Sequence, residues 1–392
     1  MMLGADRLKL CALALASLAI AFSLSVGSAS AQLFETKAEQ VYMIDAETGA
    51  VLFSKDADKP VPPASLAKLM TMEVVFNAIK AGRYGLDDTF VVSENAWRKG
   101  GAGSGGSTMF AKVKSAIRLE DLMQGVVVQS ANDACITIAE GMAGSEENFA
   151  LQMTERARQL GLQTSVFKNS TGLPAEGQLV TMKELTLLGR HIWQTYPEFY
   201  RIYSHRDFTW NKIFQRNRNP LLAMDIGADG MKTGFTEESG YAIVGSVSRD
   251  GRRIFAAMSG MKTDKERAEE ARKLLDWGMR SFEKRQLFEK GEVVGQASVY
   301  GGDKPTINLR ADSPVFVFSP IVNRDRMTAH VIYDGPLSAP IEQGTQVGRL
   351  EVRIGDTVSQ EQPLFAAESV GVGSLHSRAL DAVKEIAVGW LR

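Results

Sequence analysis

The chain has 392 residues, of which 44% are hydrophobic and 23% charged, and a formal net charge of −1. That is enough chain for one large catalytic domain and a smaller companion, and no repeat or low-complexity tract interrupts it. The near-zero charge gives no reason to expect nucleic acid as a partner.

The first segment is a targeting signal. Arg7 and Lys9 precede an apolar run over residues 10–26, and Gly27-Ser28-Ala29-Ser30-Ala31-Gln32 follows. A basic start, an apolar stretch and an Ala-x-Ala end predict a secretory signal peptide cut after Ala31. An uncleaved membrane anchor is the alternative, and the small-residue terminus favours cleavage. Cleavage removes Cys11 and leaves Cys135 as the one cysteine, so the mature chain forms no internal disulfide. Cys135 lies in a run that reads as a buried helix, where a thiol serves as a small hydrophobe.

Apolar runs over residues 41–45 and 51–54 flank Thr48-Gly49 and predict a β-hairpin. Pro62-Pro63 then mark the entry to a buried helix over residues 64–79. Further helices are expected over 119–128, 133–140 and 145–160, the last stopped by Gly161. Thr181-Met182-Lys183-Glu184 reads as a reciprocal capping box opening another helix. The pattern then turns to strands over 241–247 and 253–258, around Arg249-Asp250-Gly251. A second box, Thr263-Asp264-Lys265-Glu266, opens a helix to about residue 282. The order predicts an α+β domain, with an antiparallel sheet built from both ends and a helical cluster inserted between them. Beyond residue 284, short alternating runs punctuated by Gly, Pro and Asp predict a small all-β domain. From Gly373 an amphipathic helix carries Leu375, Leu380, Val383, Ile386 and Trp390 on its apolar side. It is too short and too charged to span a bilayer, and it suits the interface; packing on its own domain is the alternative. The expected division is therefore 1–31 signal peptide, 32–283 catalytic domain, 284–370 small β-rich domain and 371–392 amphipathic membrane-association helix.

A serine acyl-transfer enzyme needs a nucleophile, a base, a proton path to the leaving group and amides for the oxyanion. Ser65-Leu66-Ala67-Lys68 supplies the first two, because i and i+3 share a helix face. Lysine is a base only where burial or nearby positive charge depresses its pKa, and the apolar helix and Lys232 both offer that. Ser165-x-x-Lys168, Ser259-x-x-Lys262 and Ser281-x-x-Lys284 share the spacing, but only Ser65 opens a long apolar helix. Ser130-Ala131-Asn132 lies between two expected helices, where a serine relays a proton and an asparagine amide binds a carbonyl and the lysine. Ser93-Glu94-Asn95 matches it in spacing. Lys232-Thr233-Gly234 occurs once and leads into the strands; its lysine and hydroxyl suit a substrate carboxylate, and Gly234 permits close approach.

These three motifs, in this order, resemble the penicillin-binding proteins and class A β-lactamases. With Asn217-Arg218-Asn219 and Asn169-Ser170-Thr171-Gly172-Leu173, the chain is similar to the low-molecular-mass penicillin-binding proteins of the serine-type D-alanyl-D-alanine carboxypeptidase family. The resemblance covers residues 40–282, and the β-domain and tail match the family's layout. It implies the penicillin-binding/β-lactamase-like transpeptidase fold and removal of the terminal D-alanine from peptidoglycan stem peptides, with β-lactams as inhibitors. It implies Ser65 as nucleophile, Lys68 as its base, Ser130 as proton relay and Asn132 as their partner. It also implies that Lys232, Thr233 and Arg218 recognise the terminal carboxylate, beside Gly234. The N–H groups of Ser65 and Phe235 would form the oxyanion hole. Phe235 departs from the histidine some members carry there, which bears on rate and deacylation.

A class A β-lactamase would carry Glu-x-x-Leu-Asn for its deacylating water, and that string is missing. A D,D-endopeptidase cutting cross-links would use the same residues on a larger substrate. A β-lactam-binding wall scaffold with little activity is the non-enzymatic alternative. His191, His205, His330 and His376 are scattered without metal-ligand spacing, so neither metal nor cofactor is expected. The implied location is the periplasm, with peripheral attachment to the outer face of the cytoplasmic membrane through the C-terminal helix.

Overall fold

The computed structural model describes residues 34–322 and 324–388. The expected signal peptide at 1–31 and the tail beyond Val388, including Trp390, lie outside them. From Thr36 onward the described residues belong to one compact unit.

Strands β1 (Gln40–Asp45) and β2 (Val51–Lys55) form the expected hairpin. Two short antiparallel pairs follow, β3 (Thr89–Val91) with β4 (Ala116–Arg118) and β5 (Asp207–Trp210) with β6 (Ile213–Arg216). Strands β7 (Ala228–Thr236), β8 (Gly240–Arg249) and β9 (Arg252–Met261) complete an antiparallel sheet of order β2-β1-β9-β8-β7. The N-terminal hairpin therefore joins the sheet through β1 and β9, with Val41 opposite Met258. Strand β7 is left at the edge.

Between these strands runs the helical cluster: α1 (Lys68–Lys80), α2 (Glu94–Gly100), α3 (Leu119–Gln124), α4 (Asn132–Ala143), α5 (Glu146–Gln159) and α6 (Met182–Thr195). Met70 and Phe76 of α1 and Leu185 and Leu188 of α6 are buried with Ile44, Val244 and Phe255 of the sheet. A fully buried side chain of this size contributes about 1.5–3 kcal/mol, so this layer holds α1 against the sheet. Helix α7 (Asp264–Arg280) covers the other face with Ala271, Leu274 and Leu275.

Three local expectations need correction. The segment at residue 64 is a 3-10 turn (Ala64–Ala67) that becomes α-helical only at Lys68, because the chain enters through Pro62-Pro63 and a left-handed Ala64 (φ 48°). The helix expected over 119–128 is α-helical to Gln124 and widens into a π-turn over Gly125–Gln129. The box at Thr181 is one-sided. Thr181 caps the helix by accepting from Glu184 N, but the Glu184 carboxylate accepts instead from Thr164 N, Ser165 N and Ser165 Oγ.

From Phe282 onward the chain is β-structure: β10 (Phe282–Phe288), β11 (Val293–Tyr300), β12 (Thr306–Arg310), β13 (Val315–Pro320), β14 (Met327–Ile332), β15 (Leu337–Ser338), β16 (Gln346–Ile354) and β17 (Thr357–Ala366). They form a pair, β10-β13, and a six-stranded sheet of order β14-β16-β17-β12-β11-β15. Their core is separate from the first and includes Ile307, Leu309, Val317, Leu350 and Leu364. A terminal helix, α8 (Leu375–Val388), follows.

Candidate active site

The 3-10 turn presents Ser65 at the mouth of the helix that Lys68 begins. Lys68 is 1% exposed, and its Nζ lies 3.0 Å from Ser65 Oγ, 2.8 Å from Asn132 Oδ1 and 2.6 Å from the Thr171 carbonyl. Burial pushes the Lys68 pKa below the usual lysine range, and the Arg218 charge pushes it further. In its neutral form the amine would keep two N–H groups and one lone pair. Asn132 Oδ1 and Thr171 O are pure acceptors, so in that form they would take the two hydrogens and the lone pair would face Ser65.

Ser130 closes the π-turn in a left-handed conformation (φ 63°). Its Oγ is buried and has no hydrogen-bond partner among the described residues. Asn132 opens α4 and donates its N–H to the Ser107 carbonyl at 2.7 Å. Asp133 holds the same wall: its carboxylate accepts from Thr108 Oγ1 at 2.6 Å, Ala111 N at 2.9 Å and Met109 N at 3.0 Å.

Lys232, Thr233 and Gly234 lie on edge strand β7. Lys232 is 3% exposed, and burial, then the charges of Lys68 and Arg218, push its pKa well down. A Cβ on Gly234 would lie 3.0 Å from Ala64 Cβ and 3.3 Å from Ser65 N, so the strand approaches the serine turn as closely as its backbone allows. Gly172 is tighter still. It sits at φ 80°, and an added Cβ would stand 1.8 Å from the Ala64 carbonyl oxygen. Arg218 donates its backbone N–H to Val128 O and its Nε to Gln129 O at 3.1 Å, which ties it to the turn carrying Ser130.

A cleft of about 600 Å³ joins Ser65, Ser130, Arg218, Thr233, Gly234 and Phe235, with Lys68, Asn132 and Lys232 buried behind it. All nine residues singled out from the sequence therefore gather at one place. The competing motifs do not. Ser93 caps α2, Ser165 bonds Glu184, Ser259 bonds Gln40 and Ser281 ends α7.

Sequence reasoning missed Arg267, which also lines the cleft. Its guanidinium lies over the Tyr241 ring at 5.5 Å, and its Nε is buried with no partner among the described residues. A signal existed: an arginine in the first turns of a helix opposes the macrodipole, which is tolerated where the cation has other work. It missed the Thr171 carbonyl and Asp133 as well.

A hydroxyl beside a buried amine whose pKa is lowered, with an unbonded second hydroxyl and a cationic end, is the equipment of a serine acyl-transfer centre on an α+β scaffold. Residues 26–263 match the D-alanyl-D-alanine carboxypeptidase family, and residues 282–372 match the penicillin-binding protein 5 C-terminal domain. The chain is 37% identical to D-alanyl-D-alanine carboxypeptidase DacC of Escherichia coli, over 87% of this chain and 86% of that one. It is 36% identical to DacD of the same organism, over 92% and 95%. The crystal structure of penicillin binding protein 5 from Haemophilus influenzae superposes with a TM-score of 0.70 at 33% identity, covering 86% of this chain and 98% of that one. The chain belongs to the D-alanyl-D-alanine carboxypeptidase family.

Proposed function

We propose that this protein removes the terminal D-alanine from peptidoglycan stem peptides through an ester on Ser65. The observation that carries the assignment is the 3.0 Å approach of Lys68 Nζ to Ser65 Oγ, with the amine's other two positions held by Asn132 and Thr171. Ser65 Oγ attacks the carbonyl carbon of the penultimate D-alanine, and its proton passes to Lys68. The N–H groups of Ser65 and Phe235 receive the oxyanion. As the C–N bond breaks, Ser130 Oγ delivers a proton to the departing amine. Lys68 replenishes Ser130, and water then hydrolyses the ester. Thr233, Lys232 and Arg218 hold the terminal carboxylate, and a β-lactam acylates Ser65 by the same route.

The reading assigns residues 32–283 to catalysis, 284–370 to a supporting β-domain and 371–392 to peripheral attachment at the outer face of the cytoplasmic membrane, after cleavage at Ala31. No helix among the described residues is long and apolar enough to cross a membrane. The attachment reading is supported by Leu375 and Val383, which stand 79% and 64% exposed on α8. Asp381 of that helix accepts from Gly301 N at 3.0 Å, so its polar side faces the β-domain.

The test is labelled penicillin followed by mass analysis. Label on the peptide bearing Ser65, and D-alanine release from a pentapeptide, are expected; label elsewhere overturns the assignment. Faster cleavage of a cross-linked dimer than of the pentapeptide would make it an endopeptidase. Deleting residues 373–392 is expected to move the protein from the membrane to the soluble fraction.

A further inference from the structure

Lys232 is buried, yet it has no carboxylate partner among the described residues. Its Nζ donates at 3.0 Å to the carbonyl of Thr233, the next residue on its own strand. The charges nearest to it, on Lys68 and Arg218, repel it. Its place is therefore set by the register of β7, an edge strand with β8 as its one neighbour.

That register changes within the strand. Ala228 stands opposite Val247, but Gly230 stands opposite Ser246, so Asp229 is the extra residue of a β-bulge. Past the bulge, Lys232 stands opposite Val244 and Gly234 opposite Ala242, two residues of the core shared with the helices. Had the first register continued, Lys232 would fall opposite Ile243, and Lys232 and Thr233 would exchange faces.

The bulge is pinned from two strands away. The Asp229 carboxylate accepts from Arg253 Nη1 at 2.8 Å and Nη2 at 2.6 Å, and from the Tyr200 hydroxyl at 3.0 Å. Arg253 belongs to β9 and reaches across β8, where it donates to Ser246 Oγ at 2.6 Å. One guanidinium thus ties three strands at the point where the register changes, and its two-pronged bond fixes direction as well as distance. Gly230 leaves no slack beside it: an added Cβ would lie 2.9 Å from the Tyr200 hydroxyl.

We propose that Asp229, through Arg253, is a positioning residue for acylation: it holds the bulge that delivers Lys232 and Thr233 to the cleft. This role rests on the functional reading above, in which those two residues receive the substrate carboxylate. Asp229 itself does not line the cleft.

The test compares two substrates on the mature chain: a peptide ending in D-Ala-D-Ala, and an uncharged thioester of the same acyl group. The thioester offers Lys232 and Thr233 no carboxylate to hold. D229N keeps the shape of the side chain and removes its charge. It should lower kcat/KM for the peptide by about 10- to 100-fold, the scale of a small misplacement, and leave the thioester within about twofold. R253K keeps the cation and loses the fork, and should show the same selective loss at smaller size. D276N breaks another ion pair of the sheet, Arg249 to Asp276 at 2.7 Å, and should leave the ratio of the two substrates unchanged. An equal loss on both substrates in D229N and R253K, no loss in either, or a ratio shifted as far in D276N, overturns the proposal. A parent protein that neither takes penicillin label on Ser65 nor releases D-alanine overturns the functional reading instead.

Discussion

Asn132 Oδ1 accepts a hydrogen bond from Lys68 Nζ at 2.8 Å, and this bond sets which face of the amine is turned to Ser65. Replacing the amide by a carboxylate keeps the shape and adds a charge that favours the ammonium form. In Asn132→Asp, the acid limb of the pH profile for penicillin acylation is expected to move upward by about one unit or more. An unmoved limb would mean that Lys68 is not the titrating base.

The hydroxyl of Ser130 bonds to nothing among the described residues, so its removal strands no partner. Ser130→Ala should change stability by less than about 0.5 kcal/mol. Acylation by a peptide should slow by about 10²-fold, the usual scale for losing a positioned proton donor. Urea melts and stopped-flow acylation separate the two effects.

Burial lowers the pKa of Lys68, so the folded state sheds a proton that the unfolded chain keeps up to the normal lysine pKa. This penalty is complete below the folded pKa and disappears as pH rises toward the unfolded value. Lys68→Met removes it. The melting temperature of the variant relative to the parent should therefore be most favourable below the lowered folded pKa and decline as pH rises from there toward about 10.4. A difference independent of pH would show that the amine is charged in both states.

Gly172→Ala places a Cβ on the Ala64 carbonyl at a backbone angle alanine avoids. A loss of at least about 2 kcal/mol is expected from strain and overlap together. Because Ala64 opens the serine turn, penicillin labelling should fall in whatever fraction remains folded. Chemical denaturation with labelling of the native fraction tests both parts.

Arg267 brings an unpaired guanidinium nitrogen to the cationic end of the cleft. Arg267→Ala should lower kcat/KM for a peptide with a free C-terminal carboxylate by about 10- to 100-fold, the scale of one charged hydrogen bond. The corresponding C-terminal amide should be hydrolysed equally by both proteins. A common loss on acid and amide would assign the arginine to packing.

Much of this was legible in the residues because each signal was local. Alternation and turn chemistry marked β1, β2, β8 and β9, and the density of Leu, Met and Val marked α1. Thr263 did cap α7, accepting from Glu266 N at 3.0 Å. What escaped notice depends on the third dimension. A backbone carbonyl such as that of Thr171 has no sequence signature, and Glu184 left its box because a buried partner in residues 164–165 outbid the helix end. The 3-10 start follows from the left-handed Ala64 after Pro62-Pro63, a backbone angle that an alanine does not announce. Ser65 and Lys68 remain i and i+3, so the pair kept its spacing although the helix type differed.

The register of Val41 opposite Met258 has a consequence for the order of events when the protein is made. Strand β1 emerges early, yet it cannot pair with β9 until more than 200 further residues have followed. Such long-range closure is slow, because the entropy of a large loop is lost before its contacts form. The segments carrying Ser65, Ser130 and Thr233 line one cleft at the edge of this sheet, so a growing chain that already carries Ser65 has no assembled cleft. Reactivity toward penicillin should then arise late and abruptly during refolding, in step with sheet closure and after the helical signal.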